Sequence, residues 1–123
     1  MSGDSIVSDT SLIINLFKGI EEVRELIANR NLFVSVISEI EVLSFPNLTI
    51  AEKDLLKQFL SECYIVDIEP AIKDIAINIR STLKVKLPDA VIAATAIYFD
   101  LPLFTMDKGF EKISDLQAII LTV

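Results

Sequence analysis

Two hydrophobic periods alternate along this chain. Short runs of β-branched and apolar residues are followed by longer segments whose apolar positions recur every three or four residues. Ser5-Ile6-Val7-Ser8 reads as a short strand that ends at Asp9. Thr10 to Phe17 reads as a helix with Leu12, Ile13 and Leu16 on one face, broken by Lys18-Gly19. Glu21 to Asn29 is a second predicted helix, with Val23, Leu26 and Ile27 inward. Leu32 to Val36 is the second strand. Ser38 to Leu43 is helical and stops at Ser44-Phe45-Pro46-Asn47. Thr49 opens a helix to about Leu60, and Glu52 three residues on completes a capping box. Tyr64 to Val66 is the third strand. Glu69-Pro70 opens a helix that reaches about Leu83, with Ile72, Ile75, Ala76 and Ile79 in register. Pro88 opens a helix to about Tyr98 whose residues are nearly all small or apolar, which predicts burial all round. Pro102 to Phe104 is the fourth strand, Phe110 to Ile113 a helical turn, and Ala118 to Leu121 a final strand.

Strands that alternate with helices argue for an α/β fold with a parallel sheet covered on both faces. The 123 residues, read as one domain over 1–123, are 52% hydrophobic, enough to fill a core. Only 3 Gly and 4 Pro leave little room for long loops. The longest uncharged apolar stretch, Ala90 to Phe99, is too short to cross a bilayer, so no membrane association is expected. No basic, apolar leader opens the chain, so a cytoplasmic location is expected and Asn47-Leu48-Thr49 is a chance glycosylation match.

The formal charge is −7, which makes the domain a poor generic nucleic-acid binder. There is no His, which excludes Ser-His-Asp and Cys-His catalysis. Cys63 is alone and flanked by Leu60, Tyr64 and Ile65, so it reads as a small buried hydrophobe. No glycine-rich phosphate loop is present.

What remains is a set of four acids at element boundaries: Asp9, Glu41, Asp89 and Asp107. In an open parallel sheet, ligands bind beyond the carboxyl ends of the strands. Asp9 follows the first strand, Glu41 lies one turn into the helix after the second, and Asp107 follows the fourth. Asp89 starts a helix that runs antiparallel to the strands, which places it at the same edge. Carboxylates crowded together repel and raise one another's pKa. A hard divalent cation, Mg2+ or Mn2+, relieves that repulsion and brings phosphodiester hydrolysis within reach.

Each acid also has a local reading. Asp9 suits a helix N-cap, Ser38-x-x-Glu41 a capping box, Asp89 a first helical turn, and Thr105-x-Asp107 a turn. Those readings do not explain why all four share one edge. Glu39 is the rival to Glu41. Two positions apart on a helix they point about 200° apart, so one of them faces the site, and Glu41 is the better placed. Thr10 and Ser11 beside Asp9 are read chiefly as caps.

At these residues the chain resembles the PIN domain family, and within it the VapC-type toxins of type II toxin–antitoxin pairs. Lys86-Leu87-Pro88-Asp89-Ala90-Val91-Ile92-Ala93-Ala94-Thr95-Ala96 carries the resemblance most strongly. Leu101-Pro102-Leu103-Phe104-Thr105-Met106-Asp107-Lys108-Gly109-Phe110 follows at a family-like distance. Val7-Ser8-Asp9-Thr10-Ser11 and Ser38-Glu39-Ile40-Glu41-Val42-Leu43-Ser44 resemble the other two motifs. The resemblance implies an α/β/α sandwich with about five parallel strands and a small Mg2+- or Mn2+-dependent ribonuclease. Asp9, Glu41, Asp89 and Asp107 match the acidic metal positions, with Thr105 as the hydroxyl before the last acid; Thr10 is an auxiliary on its place beside Asp9, where its hydroxyl can ligate a metal through water or cap the helix. Relatives usually carry a second Asp where this chain has Gly109. The resemblance also implies an RNA substrate, a cognate antitoxin seated near the acids, and a homodimer.

Arg80, Lys84 and Lys86 precede Asp89, and Lys108 follows Asp107. Arg80 and Lys108 are the expected phosphate contacts; a charge on an apolar helix such as Arg80 usually has a partner. The competing expectation is a weak or inactive PIN-like binding module acting through a protein partner. An aspartyl-phosphate phosphatase is disfavoured, because Asp9 is followed by Thr10-Ser11 and not by a second Asp.

Overall fold

Residues 4–123 are described by a computed structural model. Five strands form one sheet: β1 (Ser5–Ser8), β2 (Asn31–Ser35), β3 (Tyr64–Val66), β4 (Leu103–Thr105) and β5 (Ala118–Ile120). Their spatial order is β3-β2-β1-β4-β5, and every neighbouring pair is parallel. The helices are α1 (Thr10–Phe17), α2 (Glu21–Ile27), α3 (Val36–Leu43), α4 (Ile50–Ser61), α5 (Pro70–Thr82) and α6 (Leu87–Phe99). A short 3-10 helix, Lys108–Lys112, joins β4 to β5.

The strand alternation sends successive side chains to opposite faces. Ile6 and Phe104 enter one core with Leu12 and Ile13 of α1, Val42 of α3 and Leu56 of α4. Val7 and Leu103 enter the other with Ile72 and Ile79 of α5 and Ile92 of α6. The result is the expected three-layer α/β/α sandwich. α6 is buried along seven consecutive residues, Ala90 to Ala96, as its uniform apolar composition predicts.

Several boundaries differ from the sequence expectation. β2 stops at Ser35, whose hydroxyl accepts from the Ile37 N–H and caps α3. Val36 is therefore helical, although its β-branched side chain suits a strand. Ser38 lies inside the first turn of α3, so it forms no capping box with Glu41. α2 ends at Ile27, and Asn29 turns the chain at φ 61°, a left-handed conformation that asparagine tolerates. The predicted capping box of α4, Thr49 with Glu52, is present in full. Cys63 is partly buried, and its burial pushes the thiol up to about 11, which leaves it unreactive.

Candidate active site

β1 and β4 lie side by side in parallel, so their carboxyl ends deliver Asp9 and the Thr105–Asp107 segment to the same edge. The Asp9 N–H donates to the Phe104 carbonyl at 3.3 Å, which ties the two strand ends together. Asp9 is only 4% exposed. Its Oδ1 accepts from the Leu12 N–H at 3.0 Å and caps α1, as its local reading expected. Its Oδ2 accepts from Ser11 Oγ at 2.9 Å and from the fully buried Thr105 Oγ1 at 2.5 Å. Burial pushes the Asp9 carboxyl above its ordinary range; the bonds from Thr105, Leu12 and Ser11 oppose that push, and the Asp89 charge adds to it.

Glu41 is reached by Thr10 Oγ1, 2.5 Å from its Oε1. Thr10 and Ser11 therefore cap nothing: each hydroxyl addresses a carboxylate. Asp89 stands in the first turn of α6, where the helix dipole favours a negative charge. Burial raises its carboxyl, and the charges of Asp107 and Glu41 raise it further, against Lys86 and Lys112. Asp107 caps the 3-10 helix by accepting from the Gly109 N–H at 2.8 Å. Its own N–H donates to Thr105 Oγ1 at 3.0 Å.

The four acids thus share one edge and feel one another's charge. Among the described residues, however, no three carboxylates converge closely enough to hold a metal ion as they stand. Each of the three hydrogen-bonded acids is turned to its nearest donors. The donor set is nonetheless all oxygen, which fits a hard cation that needs one or two carboxylates plus waters and substrate oxygens. At Gly109, an added Cβ would approach Asp107 Oδ1 to 3.1 Å. A side chain there would press on the Asp107 carboxylate and shift it by a few tenths of an ångström.

A cleft of about 470 Å3 opens beside Asp89 and Asp107. Its cationic wall comprises Arg80, Lys84, Lys86 and Lys112; Lys108 does not line it. Arg80 Nε donates to the Val85 carbonyl at 3.2 Å, and Lys112 Nζ donates to the Lys84 carbonyl at 2.6 Å. These two bonds anchor the loop that leads into α6, and among the described residues the terminal guanidinium nitrogens of Arg80 make no hydrogen bond or ion pair. Lys112 escaped the sequence reading because it lies beyond the last motif; the only signal was its basic charge near Asp107.

Asp89 offers a direct test of the crowding. Its folded carboxyl lies above the ordinary 3.8, so the ionised form destabilises the native state. Stability is fully present below the unfolded value and is lost as pH rises through the raised folded value. Asp89→Asn is expected to raise the melting temperature of the metal-free protein at pH 7 by about 2 °C, a modest gain because the group is partly solvent-screened. The gain should vanish below about pH 3.8. Differential scanning calorimetry at both pH values, in chelator, measures it.

An α/β/α sandwich with four acids along the carboxyl edge of its parallel sheet is the class of domain these observations define. Residues 6–116 match the PIN domain family, and the chain belongs to it. The resemblance read from the motifs is borne out at that level. A toxin–antitoxin complex from Klebsiella pneumoniae contains a similar chain: 28% identical, TM-score 0.81, covering 93% of this chain and 95% of that one. VapBC2 from Rickettsia felis, bound to a promoter DNA fragment, is 22% identical with a TM-score of 0.80, covering 94% and 98%. DNA-bound VapBC from Salmonella typhimurium is 22% identical with a TM-score of 0.79, covering 98% of both chains. The last two likenesses speak to the fold alone. Comparison with curated proteins gives no significant match.

Proposed function

We propose that this chain is a divalent-metal-dependent endoribonuclease and the toxin of a type II toxin–antitoxin pair. The observation that carries this reading is that Asp9, Glu41, Asp89 and Asp107 lie along one sheet edge within reach of one another's charge, with a cationic wall beside Asp89 and Asp107. Membership of the PIN family and likeness to a chain of a toxin–antitoxin complex support it.

Asp9, Asp89, Asp107 and Glu41 are the residues that would hold Mg2+ or Mn2+. When bound, the ion polarises a phosphoryl oxygen and lowers the pKa of a water. Thr105 donates to Asp9 and Thr10 to Glu41, which limits how each carboxylate can turn. Arg80, with Lys86 and Lys112, receives phosphates flanking the scissile bond, as a planar guanidinium does well. Lys108, exposed beyond Asp107, contacts RNA only outside this cleft. The same wall suits acidic residues of a cognate antitoxin. A homodimer and a cytoplasmic location complete the reading; no helix among the described residues is long and apolar enough to cross a membrane.

Purified, antitoxin-free protein is expected to cleave a mixed structured RNA pool in Mn2+ and to stop when EDTA is added. Gel analysis of the pool reads the result. A folded protein that leaves the RNA intact in Mn2+ would favour the second reading, a PIN-like module acting through a protein partner. Gly109, where relatives usually have an acid, is the residue that favours that alternative.

A further inference from the structure

Ser38 belongs to none of the acidic positions, yet it is 0% exposed at the heart of the site's second layer. It sits three residues before Glu41 on α3, so both lie on one helix face. A buried hydroxyl must satisfy its proton or lose stability. Inside a helix it usually does so on the carbonyl four residues back. That residue is Val34, which belongs to β2 and not to the helix, and no such bond forms. The remaining partner among the described residues is Thr10 Oγ1, at 3.0 Å.

Thr10 Oγ1 is also 2.5 Å from Glu41 Oε1. A hydroxyl has a single proton, and an ionised carboxylate only accepts. Thr10 Oγ1 faces both Ser38 Oγ and Glu41 Oε1 but has one proton; with that proton on the shorter contact, to Glu41, the chain runs Ser38 to Thr10 to Glu41. Each bond polarises the next, and the last ends on a charge, which strengthens it.

We infer that Ser38 is a positioning residue: through Thr10 it fixes the Glu41 carboxylate, so that Asp9 and Glu41 form the fixed half of the site. The inference rests on the metal-nuclease reading above. Thr10 follows Asp9 directly in sequence, and Asp9 is itself held by Thr105, Ser11 and Leu12. One peptide link thus locks both fixed acids to each other. Asp89 and Asp107 are the adjustable half. Among the described residues no hydrogen bond reaches the Asp89 carboxyl, and the Asp107 carboxyl accepts from Gly109 of its own loop. A fixed pair and a less constrained pair are consistent with the lack, among the described residues, of three carboxylates already converged on one point.

The test measures Mn2+ binding by calorimetry on the full chain, beside thermal unfolding in chelator. Glu41→Gln sets the scale. Thr10→Val and Ser38→Ala are each expected to weaken Mn2+ binding by about 10-fold, the low end for groups that orient a ligand. Thr10→Ser, which keeps the hydroxyl, should stay within about twofold of the unsubstituted protein. In a Glu41→Gln background, Ser38→Ala should weaken binding no further, because its only route to the site is Glu41. Ser38→Ala and Thr10→Val that melt lower yet bind Mn2+ as the parent does would reduce the chain to a structural tie between α1 and α3. That outcome overturns the inference and leaves the metal reading intact, provided Glu41→Gln weakens binding. No Mn2+ binding by the unsubstituted protein overturns both. If Ser38→Ala does not fold, the Thr10→Val and Thr10→Ser pair decides.

Discussion

Asp9→Asn is expected to lower Mn2+-dependent RNA cleavage by about 100-fold or more, with the fold intact. Asp9 is the most deeply placed of the four acids and the one on which three donors converge. The substitution removes one negative charge where a cation would need it. It leaves the cap in place, because asparagine caps helices as well as aspartate does and its oxygen still accepts from the Leu12 N–H. Thr105 Oγ1, which now donates to Asp9 Oδ2, can turn to accept from the new amide. Far-ultraviolet circular dichroism should be unchanged while the RNA remains uncut. Equal cleavage by both proteins would indicate a contaminating nuclease and sink the four-acid mechanism. Loss of both folding and cleavage would make Asp9 a structural cap first.

Ile92→Ala is expected to destabilise the domain by about 3 kcal/mol. Ile92 is 1% exposed, one turn beyond Asp89 on α6, in the core formed with α5, β1 and β4. Truncation removes three carbons from a helix closed in on every side, so the cavity has no solvent edge from which to collapse. Against a total stability of about 5–15 kcal/mol for a domain, that loss is large. The urea midpoint should fall by about 1–2 M with an unchanged slope. A shift below about 0.5 M would mean that neighbouring side chains refill the space, and that α6 is a looser platform for Asp89 than its burial implies.

Much of this architecture is legible in the chain. The alternation of short β-branched runs with helical periods places all five strands, because each element must bury an apolar face to exist. The uniform apolar run after Pro88 announces the buried helix α6. The four acids stand out because each interrupts an apolar segment where an element begins or ends. Topology then carries them to one edge: β1 and β4 are neighbours although nearly a hundred residues separate them.

The details that govern chemistry are decided elsewhere. The start of α3 at Val36 is not legible, since a Val-Ile pair suits strand and helix alike until the core claims it. Thr10 reads locally as a cap, and only the approach of α3 to α1 gives its hydroxyl Glu41 to bind. Ser38 reads locally as half of a capping box and Lys112 carries no local signal, because their partners, Thr10 and the Lys84 carbonyl, lie 28 residues away. Sequence by itself determined which elements form and where charge interrupts them, because those follow from short-range burial and propensity. Tertiary structure alone decided which donor each carboxylate meets, because a hydrogen bond is satisfied within about 3 Å and the chain brings such partners together only when it folds.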